Sequence, residues 1–189
     1  MRLRFTILTL LFLGVVTASA AAQQTCPAST SSNTVVFTTN FGEISIELFP
    51  DKAPITVDNF LSYVDVGFYN GTIVHRVIPD FVIQGGGFDE TGIQKQTLES
   101  IENEAENGLL NERGMLSMAR TSEVNSATSQ FFINLKHNEV LDHGVRDFGY
   151  AVFAKITSGM DVVDRIAEVS TNERDAPTQP VVIELACRK

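Results

Sequence analysis

The side chains of this chain that can act together on a substrate concentrate in one segment. Val74-His75-Arg76-Val77-Ile78-Pro79-Asp80-Phe81-Val82-Ile83-Gln84-Gly85-Gly86 puts a guanidinium on one β-branched run and an amide on the next. Strand alternation turns Phe81 and Ile83 to one side and Val82 and Gln84 to the other. A fixed cation, an amide and an aromatic ring can then share one surface. A second polar-aromatic run, Ser129-Gln130-Phe131-Phe132-Ile133-Asn134, follows downstream. By residue type alone the plainer account stands beside this one: a strand arginine is usually a solvated or paired surface residue, and Phe-Phe is usually core.

Other chemistries lack their residues. Gly85-Gly86-Gly87 has no glycine at position 90 and no Lys-Ser/Thr after it, so it is no phosphate loop. It reads as a bend where backbones approach closely. His137 and His143, with Glu139 and Asp142 between them, match no standard metal-ligand spacing and read as exposed loop residues. The cluster Glu99, Glu102, Glu104 and Glu106 lacks the alternating oxygen ligands and central glycine of a calcium loop, and reads as a solvated acidic face. There is no Gly-x-Ser-x-Gly, and Cys26 and Cys187 lie near the chain ends, poor places for a nucleophile.

The elements that must position Arg76 and Gln84 are mostly strands. Short β-branched or alternating runs occur at 34–39, 43–48, 72–77, 81–84, 114–118, 130–134, 149–156 and 181–185, with turn signals between them. Pro54 opens a helix whose apolar stripe is Val57, Phe60, Leu61 and Val64, and Gly67 closes it. A second short helix carries Met160, Val163, Ile166 and Ala167. Residues 89–111 form a long polar excursion. This pattern predicts a mainly β fold, a sheet closed or nearly closed on itself with helices packed at its ends. The large apolar strand residues predict a filled interior, which argues against a carbohydrate- or lipid-binding barrel.

With 189 residues, 43% of them apolar, the chain is of ordinary globular composition. Its formal net charge of −9 disfavours nucleic acid and anionic membranes as partners. Arg2 and Arg4, an apolar run from Phe5 to Val16 and Ala18-Ser19-Ala20 compose a secretory signal peptide over residues 1–20. A polar, flexible leader is expected over 21–33, then a single domain over 34–189. The product is expected to be exported, periplasmic or secreted, without membrane insertion after cleavage, and monomeric. In an oxidising compartment Cys26 and Cys187 can pair, which requires the chain ends to be neighbours; the alternative is two unpaired thiols.

Several blocks together resemble the cyclophilins, the peptidyl-prolyl cis/trans isomerases. They are His75-Arg76-Val77-Ile78-Pro79, Phe81, Ile83-Gln84-Gly85-Gly86, Leu116-Ser117-Met118-Ala119 and Ser129-Gln130-Phe131-Phe132-Ile133. Met118-Ala119-Arg120-Thr121, Asn125-Ser126-Ala127-Thr128-Ser129-Gln130 and Leu141-Asp142-His143-Gly144 make the chain most similar to the exported bacterial type. The resemblance runs from Thr34 to Glu184. It implies a closed eight-stranded antiparallel β-barrel capped by two α-helices, isomerisation of X-Pro bonds in proline-containing polypeptides, and no cofactor or metal.

The resemblance assigns Arg76, Phe81 and Gln84 to catalysis. It assigns His75, Val82, Ala119, Arg120, Gln130, Phe132, Val140, Leu141 and Tyr150 to the substrate groove, with His75 in packing rather than proton transfer. Arg120 stands where many members have Asn and is expected to act through its backbone; Tyr150 stands where many have His. Val74, Val82 and Val140 are smaller than the residues common at their positions, which implies a shallower groove. A catalytically weak peptide-binding module or chaperone on the same fold is the alternative function, and an isomerisation assay separates the two.

Overall fold

The structure, a computed structural model, describes Cys26 and residues 32–189. The expected signal peptide and most of the leader lie outside the described residues. Eight strands and two helices follow in the order β1 (Thr34–Thr39), β2 (Gly42–Leu48), α1 (Pro54–Asp65), β3 (Thr72–Ile78), β4 (Val82–Asp89), β5 (Met115–Met118), β6 (Phe131–Asn134), β7 (Val152–Ser158), α2 (Met160–Ala167) and β8 (Val182–Arg188). The strands close into a barrel in the spatial order β1-β2-β7-β5-β6-β4-β3-β8, every neighbouring pair antiparallel.

Alternation fills the barrel. Val35 and Phe37 of β1 and Ile44, Ile46 and Leu48 of β2 turn inward and are buried. Phe37, Phe60, Tyr69, Phe131 and Phe153 meet with ring centroids 5.1–6.1 Å apart, so the interior is packed rather than hollow. Full burial of such side chains contributes about 1.5–3 kcal/mol each. Tyr69 satisfies its hydroxyl by donating to the Ser129 carbonyl at 2.9 Å.

Helix α1 begins at Pro54, whose missing N–H is no loss in a first turn. Its cap comes from far along the chain: Glu104 accepts from the Ile55 and Thr56 amides at 3.1 and 2.7 Å. The acidic stretch is thus only partly a solvated face. At the other end the Phe68 amide reaches Tyr63 O and the Gly67 amide reaches Val64 O, with Gly67 at φ 68°. That is a Schellman ending, and it needs the left-handed residue that glycine supplies.

Cys26 and Cys187 form a disulfide, their Cα atoms 5.4 Å apart, so these two positions, 161 apart in the sequence, do meet. Gly85–Gly87 lie inside β4 rather than after it. Between the pairs Thr72–Asp89 and Val74–Gly85 the register slips, and β4 carries the extra residues. Close approach explains the glycines: a Cβ at Gly87 would stand 2.5 Å from Gln130 Cγ, and one at Gly86 2.7 Å from the Phe131 ring.

Candidate functional site

A second register shift sets the aim of Arg76. Val74 faces Gly85 and Arg76 faces Gln84, so His75 is the extra residue of a bulge in β3. Beyond the bulge, Arg76 and Gln84 are direct cross-strand partners. On β6, Phe131 points into the barrel while Phe132 points out, opposite Gln84. Phe132, Val82 and Leu141 form a small apolar cluster outside the barrel, with Phe81, Ala119 and Tyr150 packed against it.

Together with Arg76, Gln84 and Arg120, these six residues line a cavity of about 130 Å³. It is an apolar recess whose lining also carries two guanidinium groups, of Arg76 and Arg120, and one amide, of Gln84. Gln84 donates from Nε2 to Gln130 Oε1 at 3.1 Å, which fixes the amide. Arg76 Nε lies 3.6 Å from Asp175 Oδ2. A second, polar recess of about 290 Å³ shares Gln84, Ala119 and Arg120 and adds Gln94, Thr97, Thr121, Ser126, Thr128 and Gln130. Two larger cavities, of about 710 and 570 Å³, contain none of Arg76, Phe81 or Gln84. Size therefore does not mark the site; the convergence of a cation and an amide on an apolar recess does.

Phe81 escapes the expected alternation. It precedes β4 in a tight turn, its amide donating to Ile78 O at 3.1 Å, and Asp80 before it has φ 57°. The turn frees Phe81 to join Val82 and Gln84 at the recess instead of facing away from them. Its carbonyl accepts from the Leu135 amide and from Asn138 Nδ2, both at 2.9 Å.

The loop that carries Leu141 and Tyr150 is held by polar groups that sequence reasoning missed. Asp142, buried rather than exposed, accepts from the Asn111 amide at 2.6 Å and from Asn111 Nδ2 at 2.9 Å. Ser117 in turn donates to Asn111 Oδ1 at 2.7 Å. Polar residues beside the apolar pair Val140-Leu141 were the available signal. Arg120 contributes more than its backbone. Its side chain, 5% exposed, donates to Gly149 O at 3.1 Å, to Thr121 O at 3.0 Å and to Asp147 Oδ1 at 2.8 Å. The Gly149 amide, then Arg146 and Arg120, hold the Asp147 carboxyl below the ordinary value.

Three of the expected groove residues lie elsewhere. His75 lines the 570 Å³ cavity, its ring edge-on to Phe88 with centroids 4.7 Å apart. The bulge turns it away from Arg76, so it makes no wall of the small recess. Val140, 42% exposed, sits in the middle of the short 3-10 turn Glu139–Leu141 and does not line the recess either. Gln130 lines the polar recess rather than the apolar one. The remaining predicted residues, Arg76, Phe81, Val82, Gln84, Ala119, Arg120, Phe132, Leu141 and Tyr150, come together at one place.

Comparison with known proteins gives consistent matches. The family model "Cyclophilin type peptidyl-prolyl cis-trans isomerase/CLD" matches residues 34–187. Peptidyl-prolyl cis-trans isomerase A of Dickeya dadantii is 55% identical over 163 residues, covering 84% of this chain and 86% of that protein. Peptidyl-prolyl cis-trans isomerase B of Escherichia coli is 53% identical over 157 residues, covering 79% and 96%. Among solved structures, a cyclophilin type peptidyl-prolyl cis-trans isomerase of Cryptosporidium parvum matches with a TM-score of 0.73 at 28% identity, over 82% of this chain and 95% of that one. The same protein crystallised in the presence of the dipeptide Ala-Pro matches with a TM-score of 0.71 at 28% identity, over 82% and 98%.

Proposed function

This chain belongs to the cyclophilin-type peptidyl-prolyl cis-trans isomerases, and from that premise we propose how and where it acts. The reaction rotates an X-Pro peptide bond. Rotation about a peptide bond meets a barrier of ~18–20 kcal/mol because resonance must be broken, and X-Pro exchange takes tens to hundreds of seconds unaided. No covalent bond forms or breaks and no proton moves. A catalyst need only bind the twisted amide more tightly than either planar one.

The apolar recess of Phe81, Val82, Phe132 and Leu141 receives the proline ring. Gln84, held by Gln130, hydrogen-bonds the substrate backbone. Arg76 acts on the amide. As the bond twists, the proline nitrogen becomes pyramidal and regains a lone pair, and a guanidinium donor directed at it stabilises the twisted state. Lowering the barrier by ~7 kcal/mol gives on the order of 10⁵-fold acceleration. The observation that carries this reading is the register of β3 and β4, which sets Arg76 opposite Gln84 on the rim of an apolar recess.

The clients are proline-containing polypeptides folding in the cell envelope or outside the cell, and the enzyme works as a monomer. Export is supported by the basic, apolar and small-residue order of residues 1–20 and by the Cys26–Cys187 disulfide, a bond that persists in oxidising compartments. An exchange measurement on an Ala-Pro peptide tests the function. Acceleration of cis/trans exchange at substoichiometric protein is expected. Saturable peptide binding with an unchanged exchange rate overturns it in favour of a binding module.

A further inference from the structure

The turn at 171–178 is built around one side chain. Asn172 Oδ1 accepts from the Arg174 and Ala176 amides at 2.9 and 3.2 Å, and the Asn172 amide donates to Ala176 O at 2.9 Å. The Asp175 amide donates to Asn172 O at 3.0 Å, and the Thr178 amide to Ser170 O at 2.9 Å. The turn is then docked on the site strand. β8 pairs with β3 only at Thr72 and Ile73, and farther along the Val77 amide donates to Asp175 O at 2.8 Å. The residue after Arg76 in β3 is thereby bonded to Asp175.

Asp175 also has φ 60°, a left-handed conformation that side chains rarely adopt. Among the described residues one other non-glycine shares it, Asp80, which places Phe81 at the recess. Strained residues of this kind cluster where a geometry is used. The Asp175 carboxylate is the one carboxylate within 4 Å of the Arg76 guanidinium among the described residues. It meets Nε, the inner nitrogen, and leaves both terminal nitrogens for a ligand.

We propose that Asp175 is a positioning residue for Arg76, holding the guanidinium over the proline recess before substrate arrives. Arginine carries rotamer freedom that a donor must lose before it can act. A carboxylate at Nε removes part of that freedom in the free enzyme. The two side chains are 42% and 46% exposed, so their pair contributes little to stability. Its consequence is in the twisted state, where the direction of the guanidinium matters. The proposal rests on the reading of Arg76 as the group that acts on the twisted amide.

Two variants separate positioning from folding. Asp175→Asn keeps the shape and removes the charge, and Asp175→Gly removes the carboxylate and relieves the left-handed strain. Both are expected to lower kcat about tenfold with KM nearly unchanged, because the apolar recess is intact. The melting temperature should hold in Asp175→Asn and hold or rise in Asp175→Gly. Molar salt, which screens an exposed pair, should slow the parent protein and leave Asp175→Asn unmoved. In an Arg76→Lys background the effect of Asp175→Asn should vanish. Unchanged kcat in both variants, or the same loss with and without Arg76, overturns the proposal. If Arg76→Lys and Arg76→Ala themselves keep full turnover, the reading of Arg76 is what has failed.

Discussion

The guanidinium of Arg120 lies over the ring of Tyr150, 4.6 Å from its centroid, and the same ring meets Phe132 edge-on with centroids 5.5 Å apart. Stacking on Tyr150 and two hydrogen bonds, to Gly149 O and Asp147 Oδ1, thus connect the residues after β5 to a wall of the recess. Arg120→Ala removes the cation from the ring and one partner from Asp147, which keeps Gly149 and Arg146. A stability loss of about 1–3 kcal/mol is expected, together with a rise in KM as Tyr150 loosens. Arg120→Lys should recover little, because one ammonium cannot reproduce the planar fork. Thermal melts and steady-state exchange kinetics on the three proteins check it; an unchanged KM in Arg120→Ala would show that Tyr150 is held without the arginine.

Arg76 is tested by removing its fork and then its charge. Arg76→Lys and Arg76→Ala should lower kcat far more than they weaken ground-state peptide binding. Alanine should raise the barrier by at least about 2–4 kcal/mol, the loss seen when one preorganised donor is removed elsewhere. Lysine should restore only part. The melting temperature should barely move, since the side chain is 42% exposed on the rim. Normal turnover with a clearly lower melting temperature would make Arg76 a structural residue.

The eight strands and two helices are legible in the sequence because each carries its own local signal: alternation in 43–48, the stripe from Val57 to Val64, glycine or proline at the ends. That Arg76 and Gln84 lie on successive strands and can share one surface is legible too; their direct pairing comes from the register of β3 and β4. What is not legible is whatever depends on distant partners or on a departure from regular backbone. Phe81 joins Val82 only because Asp80 turns left-handed, which alternation cannot anticipate. The bulge at His75 turns that ring to another cavity, although its neighbour Arg76 faces the site. Glu104 caps a helix that begins about fifty residues earlier, and buried Asp142 is held by Asn111, which Ser117 holds in turn. The side-chain role of Arg120 was hidden in the same way, because its acceptors lie in the loop at 147–149.

The disulfide gives a prediction about the unfolded state. Cys26 and Cys187 are separated by 161 positions, so the bond closes nearly the whole described chain into a loop. For so long a loop the chain-entropy model gives about 5 kcal/mol as an upper figure. Cys26→Ser, or reduction of the protein, should lower the melting temperature, with turnover at low temperature retained because neither cysteine lines the recess. Thiol titration of the unreduced, unfolded protein should find no free thiol; two per chain would remove the bond and the stability argument with it.

His75 gives the pH dependence. Burial first, and the neighbouring Arg76 second, lower its pKa from 6.5 to about 4, and its Nδ1 is buried without a hydrogen-bond partner. The folded protein therefore keeps the ring neutral where the unfolded chain has protonated it. Between pH 4 and 6.5 the unfolded state binds more protons, so stability rises with pH across that window. The contribution is complete above the unfolded value and lost as pH falls toward the folded one. At 1.36 kcal/mol per unit it amounts to no more than about 3 kcal/mol, less because the ring is only partly buried. His75→Phe keeps an aromatic ring against Phe88 and cannot titrate. Its melting temperature should fall less than the parent's between neutral and mildly acidic pH, the acid sensitivity of the carboxylates being common to both. The His75 ring itself should add no step to the turnover profile in that range, because the reaction moves no proton. Parallel acid profiles for the two proteins would mean that the ring takes up its proton without resistance from the fold.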